Sequence, residues 1–331
     1  MPLFLHRSGL NNIFMFTNTT LDFLYRITVL TLAGGVLATI AGFFGRHFGL
    51  ELITHFRSHL ILLAAACGAV LIAFHSWKVL PLAVAVVCWN AWYLAPYLLK
   101  NQSVNSVAST VSLKLMQANV LKSNQNYQSV LKTIAEINPD VLVVQELTPG
   151  FKDAASSLEH SYPYSRVEAR IGGGGMGVFS RYPMTDIQVL TLDQSSHIAL
   201  LARLDIAGRS VALLGLHPTT PITREKFRNR TVQFERAALL MSGINGPRIL
   251  IGDLNTTMWS PYFSDLVRES GLRDTRVGFG IKTSWPVPVP GFLRIPIDHC
   301  LLSDDFQVTS VEVGSSIGSD HLPLVVTARF K

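Results

Sequence analysis

The sequence predicts a protein of two parts, three membrane-spanning helices followed by an α/β (α+β) domain. Three long apolar stretches near the N-terminus contain no Asp, Glu, Lys or Arg. Beyond residue 112, short apolar runs of strand type alternate with helical segments, as in α/β and α+β domains. Charged residues are only 15% of the 331 residues and the mean hydropathy is +0.32, which favours a protein that is partly in a membrane.

The three uncharged stretches are residues 27–45, 58–77 and 79–99, which contain 19 to 21 residues each. A helix of about 20 residues rises far enough to cross the roughly 30 Å hydrocarbon core of a bilayer. Buried helices of a soluble protein are also apolar, but three such runs so close together favour membrane spans. A cleaved signal peptide fits poorly, because residues 1–20 lack an adequate apolar core.

The net charge of +6 divides unevenly along the chain. Residues 1–100 carry six Lys/Arg and two Asp/Glu, a net of +4, which leaves +2 for the rest. So small an excess does not favour a protein that binds long duplex DNA. The cations beside the predicted spans divide three against three between the two faces: Arg7, Arg26 and Lys78 against Arg46, Arg57 and Lys100. This balance leaves the orientation open, and we expect a cytoplasmic N-terminus with an exported second domain.

Residues 101–112, which are small, polar and uncharged, are interpreted as a linker. They separate a membrane domain, residues 1–100, from a second domain, residues 113–331. Within the second domain, Tyr127–Ile137 and residues 224–241 have the apolar spacing of helices. The basic face of residues 224–236 is interpreted as a solvated surface.

Six strand-type segments of the second domain begin or end at a carboxylate, imidazole or amide group. They are residues 113–120, 141–144, 211–216, 249–251, 295–302 and 324–328. Because side chains at one end of neighbouring strands converge in space, we expect these groups to form one site. The candidate residues are Asn119, Glu146, His217, Asp253, Asn255, Asp298, Asp320 and His321.

The chemistry of this set indicates a hard divalent cation with oxygen ligands. Carboxylates and an amide without clustered cysteines suit Mg²⁺, with Mn²⁺ as the alternative, better than Zn²⁺. The histidines could transfer a proton or stabilise charge on a phosphoryl group, and a buried Asp can fix the tautomer of a histidine. Together these groups suit the hydrolysis of a phosphate ester by metal-activated water.

The order of the motifs is more specific than any one of them. Asn119, Gln145–Glu146, His217, GDLN at 252–255, IDH at 297–299 and SDH at 319–321 follow one another along the chain. This order resembles the endonuclease/exonuclease/phosphatase superfamily, which contains DNase I-like nucleases, neutral sphingomyelinases and inositol-phosphate phosphatases. The resemblance covers residues 113–331 and implies a DNase I-like, four-layer sandwich of two packed β-sheets flanked by helices.

Departures from the superfamily pattern narrow the resemblance. Apurinic endonucleases usually have Tyr where His217 falls, and GDLNTTMW and IPIDHCL lack the longer signatures of inositol 5-phosphatases. The strings HPTTP, GDLNTTMWSP and GSDHLP are most similar to bacterial membrane-anchored members. That similarity implies a bacterial inner membrane, with the catalytic domain in the periplasm.

The resemblance also implies a role for each candidate metal-binding residue. Glu146 would bind the metal, with Asn119 beside it, and Asp320 would complete the metal region. The same resemblance implies the mechanism of the superfamily. In that mechanism water attacks the phosphorus in line, and no covalent enzyme intermediate forms.

The remaining candidates would be catalytic by the same resemblance. Asp253 would orient or deprotonate the attacking water, and Asn255 would hold a phosphate oxygen. Asp298 would pair with His321, which would contact the scissile phosphate. His217 would assist on the phosphate or leaving-group side.

Several alternatives stay open at the level of sequence. The substrate could be nucleic acid or a phospholipid headgroup, a phosphomonoester could replace the diester, and a catalytically inactive binding protein is a third possibility. Arg181 and Arg230 could contact substrate phosphates or have solvated or packing roles. The glycines at 172–175 are interpreted as a flexible turn, and His299 and Trp285 as structural residues. No protein partner is predicted.

Overall fold

The computed structural model describes residues 18–99 and 111–331. The predicted linker lies outside these residues except for Val111 and Ser112. The described α-helices are α1 (Asn18–Ala41), α2 (Leu50–Thr54), α3 (Arg57–Ala73), α4 (Leu80–Leu98), α5 (Tyr127–Ile137), α6 (Pro149–Ala155), α7 (Arg224–Ser242) and α8 (Pro261–Ser270). The described strands are β1 (Ser112–Asn119), β2 (Val141–Gln145), β3 (Tyr164–Glu168), β4 (Met176–Ser180), β5 (Met184–Leu190), β6 (Ala199–Ile206), β7 (Arg209–Leu216), β8 (Arg248–Asp253), β9 (Arg273–Asp274), β10 (Asp298–Leu302), β11 (Phe306–Val313) and β12 (Leu324–Phe330).

Residues 18–99, here called the helical unit, contain three long helices and the short helix α2. The long helices α1, α3 and α4 pack on one another around a small apolar cluster that includes Leu32 and Leu71. Their outer faces leave large apolar side chains uncovered, among them Leu30, which is 71% exposed, and Trp92, which is 76% exposed. An apolar surface of this kind marks contact with a membrane or another protein.

Two helices of the described residues are long and apolar enough to cross a membrane. One is Asn18–Phe44, which joins α1 to a 3₁₀ turn, and the other is Leu80–Leu98. The third predicted span, residues 58–77, instead forms the shorter apolar helix α3, which has 17 residues. The prediction of three membrane-spanning helices is therefore confirmed only in part.

Helix α3 is shorter than predicted because a cap ends it at Ala73. His75 adopts a left-handed backbone conformation, with φ of 55°. The N–H groups of His75 and Ser76 donate back to the carbonyls of Ile72 and Leu71, at 2.9 Å each. This pair of bonds is a Schellman cap, which satisfies the last carbonyls of the helix and stops it in an apolar sequence.

The second domain contains two six-stranded mixed sheets. The strand orders are β11-β12-β1-β2-β4-β3 and β5-β6-β7-β8-β10-β9. In each sheet one central pair is parallel, β1 with β2 and β7 with β8. The other pairs are antiparallel. Each of the six predicted strand segments overlaps an observed strand.

The two sheets pack face to face and are covered by helices on both outer sides. The core between them includes Leu115 of β1 and Ile251 of β8. Ile134 of α5 packs on the outer face of the first sheet, and Phe234 of α7 packs on that of the second. Leu94 of α4 joins the cluster around α7 and α8, so the helical unit packs on this outer layer. The predicted four-layer sandwich is confirmed.

The two helices that the sequence predicted in this domain form because polar side chains cap them. Asn126 Oδ1 accepts a bond from Ser129 N–H at the start of α5, and Thr223 Oγ1 accepts one from Lys226 N–H at the start of α7. Such caps satisfy N–H groups that have no partner within the helix. Helix α5 has the predicted bounds, and α7 ends one residue later than predicted.

One edge of the two sheets collects the candidate site residues. The parallel strands β1 and β2 end at this edge, at Asn119 and Gln145. Strand β8 ends there at Asp253, which lies opposite Asp298 at the start of the antiparallel strand β10. Because β12 is antiparallel to β1, the residues just before it, including His321, return to the same edge.

Candidate active site

Asp298 and His321 form a buried, hydrogen-bonded pair at the centre of this edge. His321 Nδ1 lies 2.9 Å from Asp298 Oδ2, and the two residues are 5% exposed or less. Burial opposes protonation of His321, but the charges of Asp298 and Asp253 outweigh it and raise the pKa of His321 well above its ordinary value. Burial likewise opposes ionisation of Asp298, yet His321 holds the pKa of that carboxyl below its usual range. Both shifts favour an imidazolium bound to a carboxylate.

Asp253 lies between the two histidines predicted for the site. Its Oδ2 is 3.6 Å from His321 Nε2 and 3.6 Å from His217 Nε2. Burial raises the pKa of Asp253 to about 7, although His321 opposes the shift. Burial also lowers the pKa of His217 to about 4, so this imidazole is neutral at neutral pH. A carboxylate with a pKa near neutrality can accept a proton from water at physiological pH.

Asn119 joins Asp253 to Glu146 through one amide group. Its Nδ2 donates to Glu146 Oε1 at 3.2 Å and to Asp253 Oδ2 at 3.1 Å. Its Oδ1 accepts from the N–H of Leu121 at 3.0 Å. The amide nitrogen thus holds the two carboxylates in place, while the amide oxygen is bound to a backbone N–H. Asn119 thus lies beside Glu146, as predicted.

Glu146 presents an ionised carboxylate at the mouth of the site. It follows the buried strand β2 in a left-handed conformation, with φ of 57°, a backbone state that clusters at functional sites. Its Oε2 accepts from Lys122 N–H at 2.9 Å. Burial would raise the pKa of Glu146, but the Lys122 N–H and other donors lower it below its ordinary value. The loop at 172–175 also borders this group, since Gly173 approaches the Glu146 carboxyl closely enough that an added Cβ would lie 3.6 Å from it.

Asn255 is brought to the same edge by the turn after β8. It adopts a left-handed conformation with φ of 50°, and its N–H donates to Asp253 Oδ1 at 2.9 Å. Its Nδ2 donates to the carbonyl of Pro218 at 2.9 Å, next to His217. The Asn255 side chain thus lies on the His217 side of Asp253.

Asp320 precedes His321 in the chain and is bound by Trp285. Its Oδ2 accepts from Trp285 Nε1 at 2.9 Å, and its charge helps to raise the pKa of His321. No described hydrogen bond or ion pair joins Asp320 to Glu146. The three residues of the predicted metal set, Asn119, Glu146 and Asp320, thus lie at one edge. Asn119 contacts Glu146, but among the described contacts neither of them is joined to Asp320. Trp285, interpreted from sequence as structural, is a neighbour of the site, with its ring 6.4 Å from that of His321.

Two further polar residues of the site were missed by the sequence argument. Gln117 is fully buried and donates from Nε2 to Asp298 Oδ1 at 2.8 Å and to Gln145 Oε1 at 2.7 Å. His197 packs edge-on against His217, with ring centroids 5.3 Å apart. An amide inside an apolar strand, as Gln117 is in β1, was the available signal, because a buried polar group needs a partner.

The residues present fit a divalent cation. Among the described residues, the ligand-type atoms of Asp253, Asp298 and His321 lie within 4.8 Å of one another. Asp298 and His321 are hydrogen-bonded to each other, so those atoms are already occupied. The carboxylates of Glu146 and Asp253 both accept hydrogen bonds from Nδ2 of Asn119. Burial and the neighbouring Asp298 charge raise the pKa of Asp253 more than His321 lowers it, and a cation with a preference for oxygen ligands would add the positive charge that favours its ionised form.

The other residues weighed from sequence have structural partners. Arg181 Nη1 lies 3.5 Å from Asp140, and Arg230 is fully buried against Glu51, so neither faces the candidate site. His299 is buried, with Nε2 2.8 Å from the carbonyl oxygen of Thr256, in keeping with the structural role expected for it.

The chain belongs to the endonuclease/exonuclease/phosphatase family, whose model matches residues 88–321. Members of this family are hydrolases that act on phosphoester bonds and depend on a divalent metal. A search of curated proteins finds no significant match.

Solved structures of the same fold cover about two thirds of the chain. TDP2 from D. rerio, complexed with single strand DNA product, has a TM-score of 0.56 at 16% identity, over 66% of this chain and 98% of its own. Sphingomyelinase C from Streptomyces griseocarneus has a TM-score of 0.52 at 18% identity, over 67% and 100%. The 3′ phosphatase NExo from Neisseria, bound to a product DNA hairpin, has a TM-score of 0.55 at 20% identity, over 66% and 99%. At these identities the likeness establishes the fold.

Proposed function

We propose that this protein is a membrane-anchored, Mg²⁺-dependent phosphodiesterase. The observation that carries the proposal is the continuous set of contacts from Glu146 through Asn119, Asp253 and His321 to Asp298. It places a candidate general base, a cationic imidazole and a half-buried carboxylate at one edge. A buried carboxylate whose pKa lies near neutrality is more typical of a catalytic site than of an inactive binding protein.

Asp253 is the proposed base, and His321 is the proposed contact to the phosphate. Ionised Asp253 accepts the proton of the attacking water, for which a pKa of about 7 is suited. His321, held as an imidazolium by Asp298, stabilises the negative charge that develops on the phosphoryl oxygens. His217 is neutral and lies 3.6 Å from Asp253, so its proposed role is to orient water or the leaving group.

Glu146 is the proposed principal ligand of the cation. Asn119 holds it in place, and Asp320, whose Oδ1 has a long 3.5 Å contact with Ser319 Oγ, completes the metal region. When bound, Mg²⁺ or Mn²⁺ supplies positive charge to the phosphate and lowers the pKa of its water. Asn255 holds a phosphate oxygen once its Nδ2 turns from the Pro218 carbonyl.

The helical unit is proposed to be an integral membrane anchor. Support comes from Asn18–Phe44 and Leu80–Leu98, which have the length of membrane spans, and from the uncovered apolar faces of these helices. Helix α3, with 17 residues, is proposed as a third and shorter span that fits by locally thinning the bilayer. The proposed membrane is a bacterial inner membrane. In the proposed orientation the N-terminus lies in the cytoplasm and the catalytic domain lies in the periplasm.

The substrate class is proposed to be a phospholipid headgroup, with nucleic acid as the alternative. Three loops that closely follow or precede, in sequence, residues in or bordering the site expose large apolar side chains: Ile171 is 91%, Ile222 is 62% and Phe292 is 65% exposed. Exposed apolar side chains on such loops favour contact with a lipid surface. Nucleic acid stays the alternative because the neighbours from D. rerio and Neisseria are DNA-bound.

The test is a hydrolysis assay on the full-length chain in detergent micelles or nanodiscs. Bis-p-nitrophenyl phosphate, p-nitrophenyl phosphate, single-stranded DNA and sphingomyelin vesicles are compared with and without Mg²⁺. The key variant is Asp253→Asn, and Asp265→Asn is a matched control because Asp265 pairs with Arg46 away from the site.

The expected result is Mg²⁺-dependent diester hydrolysis that falls by on the order of 10²–10⁴-fold in Asp253→Asn and is unchanged in Asp265→Asn. Preference for the vesicles would support the lipid class, and preference for DNA would support the alternative. Faster release of p-nitrophenol from p-nitrophenyl phosphate than from the diester would indicate a phosphomonoesterase in place of the proposed phosphodiesterase. No turnover from a folded chain that binds Mg²⁺ would contradict the proposal.

A further inference from the structure

Glu51 is fully buried, yet it belongs to the helical unit and not to the catalytic domain. It lies on α2, between the first and second apolar helices. Its Oε2 accepts from Arg230 Nη2 of α7 at 2.8 Å, and both side chains are 0% exposed. Its Oε1 accepts from Ser260 Oγ at 2.6 Å and faces Thr256 Oγ1 at 3.4 Å. A buried charge is tolerated only with such partners, so these contacts define a specific joint between the two parts of the chain.

His55 adds a second contact to the same joint. Its Nδ1 lies 3.0 Å from Thr257 Oγ1 and accepts from Thr257 N–H at 3.4 Å. Glu51 and His55 therefore hold three residues of the segment that follows Asn255, namely Thr256, Thr257 and Ser260. The backbone of this segment is fixed from its other side, because His299 Nε2 lies 2.8 Å from the Thr256 carbonyl oxygen.

The segment held in this way directly follows a residue of the site. Asn255 has a φ of 50°, in the left-handed region that Asn adopts more readily than most residues other than glycine. The position of its side chain therefore depends on the contacts that hold its neighbours in the chain. On the C-terminal side of Asn255, the contacts that fix it come from Glu51, His55 and His299.

We infer that Glu51 is a positioning residue for Asn255, and that the helical unit is part of the catalytic unit as well as an anchor. It acts through Thr256 and Ser260, which it contacts directly, and does not itself touch the substrate. The catalytic consequence of this inference rests on the proposed function, whereas its structural consequence does not. A catalytic domain cut away from residues 18–99 would lose these contacts, and Arg230 would lose the carboxylate of Glu51.

The test uses the full-length chain in detergent micelles and the double variant Glu51→Met/Arg230→Met. Removing both charges avoids an unpaired buried ion, and the rings of Phe227, Phe234 and Tyr262 around Arg230 suit an apolar side chain. Asp265→Asn is the matched control, because it breaks the Arg46–Asp265 pair at the same joint without touching residues 255–260. Hydrogen exchange of the peptide that covers residues 253–260 is the first measurement.

We expect exchange in residues 253–260 to accelerate by about tenfold or more in the double variant, with no change in Asp265→Asn. Catalysis is then measured in a cycle with Asn255→Ala. The double variant should lower kcat on the order of 10²-fold with Asn255 present, the size of loss that a misplacement of about 1 Å produces, and should have almost no effect in the Asn255→Ala background.

Two results would overturn the inference. One is a folded double variant whose exchange in residues 253–260 matches the wild type. The other is a kcat loss of equal size with and without Asn255, which is the mark of a general structural effect. If the wild-type chain has no phosphodiesterase activity, the proposed function fails, and the exchange measurement still decides whether Glu51 positions the segment.

Discussion

The Asp298 carboxylate binds Nδ1 of His321 at 2.9 Å and leaves Nε2 of the same ring facing the interior of the site. This relationship fixes the orientation of the ring and favours its protonated form. Because Asp298 begins β10 and His321 precedes β12, the pair also ties the two sheets together at the edge where the site lies.

The first prediction concerns the variant Asp298→Asn. An amide cannot balance the charge of an imidazolium, so the pKa of His321 should fall and kcat for phosphodiester hydrolysis should decrease by on the order of 10²–10⁴-fold. NMR titration of His321 and steady-state kinetics check both effects. Unchanged kcat in a folded variant would remove His321 from the proposed mechanism.

The second prediction concerns Gln117, which bridges Asp298 and Gln145 inside the sheets. Gln117→Leu should lower the free energy of unfolding by about 1–2 kcal/mol, because a buried carboxylate loses a hydrogen-bond donor. Activity should fall with it, since Asp298 loses one of its fixed contacts. Denaturant titration and kcat measure the two effects, and Gln188→Ala, an exposed amide on β5, should show neither.

The third prediction is the pH dependence of the reaction. Burial raises the pKa of Asp253 to about 7, so the proposed base is protonated below that pH and ionised above it. The rate should therefore rise with pH through the region near 7. A cation beside the carboxylate favours its ionised form, so a higher Mg²⁺ concentration should move this rise to lower pH. A profile of kcat/KM at several Mg²⁺ concentrations checks this, and a rate that falls through that region would contradict the assignment.

The fourth prediction is a loss of stability at acid pH caused by His55. Burial lowers the pKa of His55 from its ordinary 6.5 to about 4, so below pH 6.5 the unfolded chain binds a proton that the folded chain does not. Stability should decrease as pH falls from 6.5 to 4, by at most about 3 kcal/mol from this residue. Comparing the pH dependence of unfolding in the wild type with His55→Gln isolates it, with the exposed His160→Gln as control. Equal slopes in all three chains would disprove the assignment.

The fifth prediction concerns Gly252, which begins the GDLN motif. A Cβ at this position would collide with the carbonyl oxygen of Leu216 on the neighbouring strand β7. Gly252→Ala should therefore prevent β7 and β8 from pairing normally and lower the free energy of unfolding by about 3 kcal/mol or more. Gly291→Ala, where an added Cβ meets no atom within 4 Å, is the matched control. Thermal unfolding of both variants gives the comparison.

Six of the strands were predicted from local apolar patterns, and the four-layer fold was implied by the family resemblance that the order of the motifs carries. Apolar runs of strand length predicted β1, β2, β7, β8, β10 and β12. The polar residues at the ends of these runs predicted where the site would form. Because parallel strands run in the same direction, their last residues lie at the same edge of the sheet, and the polar side chains there lie close together. The extent of α3 was overestimated, because His75 ends that helix through its backbone conformation and not through its polarity.

The side chains that complete and support the site are set by contacts between distant parts of the chain. Gln117 contacts Asp298 across 181 positions of the chain, and Glu51 contacts Arg230 across 179. Such pairs leave no periodic signal, since a buried polar residue indicates that it needs a partner without indicating which residue that partner is. The residue types and their order were enough to predict the candidate chemistry of this edge. The packing of the helical unit on α7 and α8 decided that Glu51 and His55 hold the segment beside Asn255, because that contact exists only after the two parts of the chain have folded together.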